Sequence, residues 1–155
     1  MKIHLITIGK LKTAHWRDAA GDYTTRLQHY ADFRLTELKD SPRSSDPPEK
    51  VKQQESQKIL QTLSAHAYTV ALDKEGSLFS TEKLANFLRE KQNYGPQTIE
   101  FCIGGPQGFS RDFVQQCDHS LSFSKMTFPH DLARVMLLEQ LYRAFSILRG
   151  EKYHK

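Results

Sequence analysis

The sequence predicts an α/β fold: a mostly parallel sheet with helices on both faces. Two observations lead there. Short β-rich apolar runs alternate with longer stretches whose apolar residues recur at three- and four-residue spacing, giving the order βαβαβαβαβα. Turn and helix-start signals such as Gly9, DKEG and Ser80-Thr81-Glu82 separate these runs.

Lys2 to Ile8 (KIHLITI) opens the chain as a strand and stops at Gly9. His15 to Tyr30 reads as a helix, with Trp16, Ala19, Ala20, Tyr23 and Leu27 on one side. Phe33 to Leu38 is a second strand. The following stretch turns to Pro, Ser and charge, and Asp46 with two prolines starts a helix near Glu49. Tyr68 to Leu72 forms the third strand, closed by a turn at DKEG. Ser80-Thr81-Glu82 opens a helix that runs to about Gln92. Ile99 to Ile103 and His119 to Phe123 are the fourth and fifth strands. The last helix, Asp131 to Arg149, follows Pro129 and carries apolar residues over more than one face. In a chain this small the second apolar face points to another subunit, so a homodimer is expected.

Composition limits the functional classes. At 155 residues the chain is read as one domain, 1–155, large enough for a core. The net charge of +4 allows an anionic partner without requiring one. Cys102 and Cys117 are too few for a disulfide framework and lack zinc spacing, so both read as reduced core thiols and no metal is expected. No apolar run approaches the length of a membrane span, and the first residues form a strand rather than a signal peptide. A cytoplasmic protein with no membrane partner is the expectation.

Three segments fall after predicted strands, at the carboxyl edge where open α/β sheets bind ligands. They are Leu72-Asp73, the loop Gly104-Gly105-Pro106-Gln107-Gly108, and Phe123-Ser124-Lys125-Met126-Thr127-Phe128-Pro129. The glycine loop is not a phosphate loop, since no Lys-Ser/Thr pair follows, and it lacks GxGxxG spacing. Such a pocket is made of backbone and apolar side chains, which suits an adenine and a thioether better than a triphosphate. Read alone, each loop is also compatible with a plain connection between elements. Along the last helix, Arg134 is the candidate for an anionic substrate, whereas Glu139 and Arg143 stand at i,i+4 and are expected to pair.

The runs IGGPQGF, LSFSKMTFPH, RVMLLEQLYRAF and GEKYHK, with the opening KIHLITIGKLK, resemble the bacterial large-subunit ribosomal RNA pseudouridine N3-methyltransferases. These are a minimal branch of the SPOUT methyltransferases, and the resemblance spans the whole chain. It implies a C-terminal trefoil knot, a homodimer, S-adenosyl-L-methionine held in the knot, and methylation of a pseudouridine of 23S rRNA in the assembled ribosome. Carried over by position, the cofactor residues are Leu72, Gly104 and Phe123 to Phe128, with Gly105 and Gly108 in the same loop. His130 and His154 are candidate bases, because histidine titrates near neutrality. Arg134, Arg143 and Lys155 would stabilise a uridine anion or hold phosphates, and Tyr153 would stack on the base or bond to it. His130 is equally read as a helix-start residue. A non-catalytic ribosome-binding factor of the same fold is the alternative.

Overall fold

A computed structural model describes residues 1–41 and 46–153. Its elements follow the expected alternation: β1 (Lys2–Ile8), α1 (Ala14–Leu27), β2 (Asp32–Leu38), α2 (Pro48–Leu60), β3 (Tyr68–Leu78), α3 (Thr81–Tyr94), β4 (Thr98–Ile103), α4 (Arg111–Gln116), β5 (His119–Ser122) and α5 (His130–Leu148). The five strands form one sheet in the order β2-β1-β4-β3-β5, and every pairing is parallel.

Parallel neighbours require crossovers, and here helices supply them on both faces. The strand period of two decides which core each side chain enters. On β1, Ile3 and Leu5 pack under α1, α3 and α5 with Leu27, Leu88, Leu137 and Leu141. Ile6 and Ile8 face the other way, toward α2 and α4, and meet Ile59, Cys102, Phe109 and Phe113. Both helical layers are therefore needed to cover one apolar strand. Cys102 is buried and Cys117 half-buried, and both are free thiols. Burial pushes the Cys102 thiol well up and the Cys117 thiol to about 11, so neither is a thiolate at neutral pH.

One buried polar cluster on the sheet is fully paired. Glu100 is fully buried on β4 and accepts from His4 Nδ1 at 2.9 Å, Ser64 Oγ at 2.9 Å and the Ser64 amide at 3.0 Å. His4 also meets Thr36 Oγ1 through Nε2 at 2.9 Å, so one polar seam ties β2, β1 and β4 together.

One element differs from expectation. The segment DKEG does not end β3. Pairing with β5 shifts from Leu72↔Leu121 to Ser77↔Leu121, so residues 73–76 bulge out and the strand resumes to Leu78. The short helix between β4 and β5 is α4, capped by Ser110 Oγ accepting from the Phe113 amide at 3.3 Å. The loop expected over Pro42 to Pro48 lies partly outside the described residues; α2 itself begins with Pro48 at its first turn.

Candidate functional site

A cavity of about 410 Å³ opens at the carboxyl ends of β3, β4 and β5, three neighbouring strands. Its walls come from the β3 bulge (Leu72 to Glu75), the glycine loop (Ile103 to Phe109), the end of β5 (Leu121 and Ser122) and the segment after it (Phe123 to Phe128, without the Lys125 side chain). His130 and Ala133 of α5 and Lys52 of α2 complete it. Its volume falls in the range of small-molecule sites.

The walls are shaped by local backbone chemistry. In the glycine loop the Gly108 amide donates to the Gly105 carbonyl at 2.9 Å, and Gly108 itself has φ +79°, a conformation L side chains rarely adopt. Across the cavity, the Ser122 hydroxyl lies 2.9 Å from the Ser124 carbonyl and 3.1 Å from that of Lys74, and its single proton joins the post-β5 segment to the β3 bulge. Ser124 Oγ then accepts from the Met126 amide at 3.0 Å. Within the bulge, Asp73 Oδ1 accepts from the Glu75 amide at 2.8 Å. Two of the segments that read as separate loops in sequence are thus stitched together.

Of the expected cofactor residues, Leu72, Gly104, Gly105, Gly108, Phe123, Ser124, Met126, Thr127 and Phe128 line this cavity. Lys125 does not. Its side chain turns outward and sits 3.8 Å from Glu75, with both groups mostly exposed. Sequence reading missed Lys52, because α2 carries no ligand motif. It also missed Leu121 and Ser122, which were counted as strand rather than pocket.

The candidate catalytic residues separate in space. His130 begins α5 at the cavity wall, and its Nε2 is 3.1 Å from Asp131 Oδ1. Arg134 is not an open anion contact. It is 1 % exposed, with Nη1 donating to Glu37 Oε1 at 2.6 Å and Nη2 to the Gly9 carbonyl at 2.8 Å. Arg143 pairs with Glu139 as the helix spacing dictates, Nε at 2.8 Å and Nη2 at 2.5 Å from Oε1. That bond holds the guanidinium pKa above its ordinary value.

Tyr153 folds back on its own subunit. Its ring meets Tyr142 at 4.6 Å and lies 4.7 Å from the Arg143 guanidinium, while its hydroxyl donates to Glu139 at 3.2 Å. Burial, with Tyr23 and Glu139 close by, raises its pKa. Glu151 accepts a short hydrogen bond from Tyr30, whose pKa is pushed up to about 12 by that bond. Twelve residues of helix separate Tyr142 from His130, roughly 18 Å at 1.5 Å per residue. Within one subunit the tail is therefore remote from the cavity. His154 and Lys155 lie outside the described residues. Among the described residues no cluster of His, Cys, Asp and Glu could hold a metal ion, and no helix is long and apolar enough to cross a membrane.

The cavity lining combines glycine-loop main chain and apolar side chains with the charged residues Lys52, Asp73, Lys74 and Glu75, and Lys52 is already 2.8 Å from Glu49. A protein from Clostridium acetobutylicum called ribosomal RNA large subunit methyltransferase H is 44 % identical over 159 residues, covering all of both chains. One of the same name from Carboxydothermus hydrogenoformans is 40 % identical, again over both full lengths. The fold is shared more distantly with two solved methylase family proteins, each 14 % identical. The one from Haemophilus influenzae has a TM-score of 0.54 over 99 % of this chain and 70 % of its own. The one from Neisseria gonorrhoeae has 0.52 over 90 % and 81 %. The family model described as predicted SPOUT methyltransferase matches residues 1–154, and with these full-length relatives it establishes that the chain belongs to the SPOUT methyltransferases.

Proposed function

We propose that this protein transfers a methyl group from S-adenosyl-L-methionine to N3 of a pseudouridine in 23S rRNA, acting on the assembled ribosome as a cytoplasmic homodimer. The observation that carries the reading is the cavity at the ends of β3, β4 and β5, walled by glycine-loop backbone and by Phe123 to Phe128. Family membership and the two full-length relatives named as ribosomal RNA methyltransferases support the substrate class. One SPOUT domain spans residues 1–155 in this reading, and its C-terminal segment threads the trefoil knot typical of the family.

S-adenosyl-L-methionine supplies a methyl group already activated by the sulfonium charge. The protein then has two tasks. The first is orientation: the glycine loop and the segment Phe123 to Phe128 hold the donor so that the acceptor nitrogen meets it in line. The second is management of the N3 proton, since only the deprotonated ring is a good nucleophile. His130 stands at the cavity wall beside Asp131 and takes that proton as general base. Substrate contacts come from the partner's tail. Tyr153 packs on Tyr142, roughly 18 Å along α5 from His130 at its own cavity, and α5 leaves Leu132, Val135 and Met136 half-exposed for a second subunit. Tyr153, His154 and Lys155 of one subunit therefore complete the other's site, with Arg143 holding Tyr153 in place.

The test is direct. Protein, methyl-labelled S-adenosyl-L-methionine and ribosomes from cells lacking the enzyme are incubated, and the labelled nucleoside is identified by mass spectrometry. The expected product is 3-methylpseudouridine, and label in any other nucleoside refutes the assignment. Ribosome binding without label transfer, and without calorimetric heat from the methyl donor, would identify a non-catalytic ribosome-binding factor instead.

A further inference from the structure

The inward stripe of α2 is polar where a helix over a sheet is ordinarily apolar. Its fully buried residues are Glu55, Ser56 and Ile59, and Glu55 is 3 % exposed. Burying a carboxylate is costly unless its oxygens are paired. Glu55 Oε1 accepts from the Ser41 amide at 3.0 Å, but Oε2 has no hydrogen-bond partner among the described residues. The unpaired oxygen faces the glycine loop. A Cβ placed on Gly105 would lie 2.6 Å from Oε2 and 3.3 Å from the Ile8 methyl, so Glu55 occupies the space behind that residue. The next residue, Ser56, is 2 % exposed and its Oγ accepts from the Ser110 amide at 2.9 Å. Two adjacent α2 residues therefore touch the two ends of the loop from 105 to 110, whose other surface lines the cavity.

We propose that Glu55 is a positioning residue for the cofactor cavity: its buried carboxylate backs Gly105 and, with Ser56 at Ser110, fixes the glycine loop against α2. This rests on the reading that the cavity binds S-adenosyl-L-methionine. Glu55 does not line the cavity and is not a contact of the bound molecule. It acts through the main chain of Gly105, which leaves no room for a side chain because the carboxylate is already there. A methyl group added at Gly105 must push aside either the buried carboxylate or the loop itself.

The experiment is a mutant cycle read by calorimetric titration with S-adenosyl-L-methionine, beside thermal unfolding of each protein without ligand. Gly105→Ala is expected to weaken binding at least tenfold. Glu55→Ala is expected to weaken it about tenfold through loss of the backing. The double variant Glu55→Ala/Gly105→Ala is expected to bind as tightly as Glu55→Ala alone, because the new methyl enters the vacated space. Glu55→Gln has the same shape, so Glu55→Gln/Gly105→Ala is expected to stay as weak as Gly105→Ala. Independent effects in the first pair, or rescue by Gln, would overturn the proposal. Coupling in melting temperature without coupling in affinity would also overturn it, since a purely structural contact behaves that way. A wild-type protein that gives no heat removes the cofactor reading and this proposal with it. Wild-type binding with uncoupled variants removes this proposal alone.

Discussion

Replacing Arg134 by Met separates a structural clamp from a substrate contact. The guanidinium is 1 % exposed and joins three elements: it sits on α5, bonds Glu37 at the end of β2, and bonds the Gly9 carbonyl just after β1. Breaking a fully buried ion pair costs about 3–5 kcal/mol, because one charge remains buried and unpaired. The Glu37 side chain is 27 % exposed and recovers some solvation, so the loss here is set at about 2–4 kcal/mol. For a chain of this size that lowers the melting temperature by roughly 5–15 °C. Arg134→Lys keeps the charge but cannot make both bonds, and is expected to lose about 1–2 kcal/mol. Glu37→Gln/Arg134→Met removes both charges and should recover part of the loss. Urea and thermal unfolding measure these values, and kcat and KM for ribosomes are followed in parallel. If Arg134→Met unfolds within about 0.5 kcal/mol of wild type while KM rises tenfold, the clamp argument is wrong and Arg134 contacts substrate.

His130→Gln is expected to reduce kcat by about 10²–10⁴-fold, the usual range for a lost general base, with cofactor affinity unchanged by calorimetry. Wild-type turnover would assign the proton to another group. Deleting Tyr153 to Lys155 should leave cofactor binding intact and abolish methylation, and a heterodimer of this deletion with a Gly104→Val subunit should regain activity at one site. Inactive heterodimers would count against sites shared between subunits. His119 lies among Phe79 and Phe87 with a buried Nε2 that has no hydrogen-bond partner. Burial, with Lys83 and Lys91 nearby, holds its pKa below 6.5. The folded state thus favours the neutral ring. Its contribution is complete above pH 6.5 and declines as the pH falls below that value. His119→Phe should flatten the loss of stability between pH 6.5 and 5, measured by urea titration; an unchanged slope would assign the loss to other groups.

The alternation of strands and helices was legible because burial on two faces leaves its mark on every residue of a parallel strand. KIHLITI and IEFCI could hardly be anything else. The loops that wall the cavity were legible for a related reason: strand ends and glycines mark the carboxyl edge. Where side chains choose between partners, the sequence was weaker. Lys125 shares the loop of its neighbours yet turns toward Glu75 and solvent, because an exposed lysine gains little from a cavity already closed by main chain. Glu55 and Ser56 were hidden in a polar stretch, VKQQESQKIL, where nothing marks a buried carboxylate.

By itself the sequence determined the alternation of strands and helices, the loops that wall the cavity and the family. Those follow from periodicity and short-range backbone preferences, which are local and repeated. The tertiary structure decided that Arg134 faces Glu37 and Gly9, that Tyr153 lies against Tyr142 far from its own cavity, and that α2 braces the glycine loop through Glu55. Each is a meeting of residues distant in sequence, and its outcome depends on competition between partners in three dimensions. Spacing along a chain records which side chains share an element, not which charge across the core will reach them first.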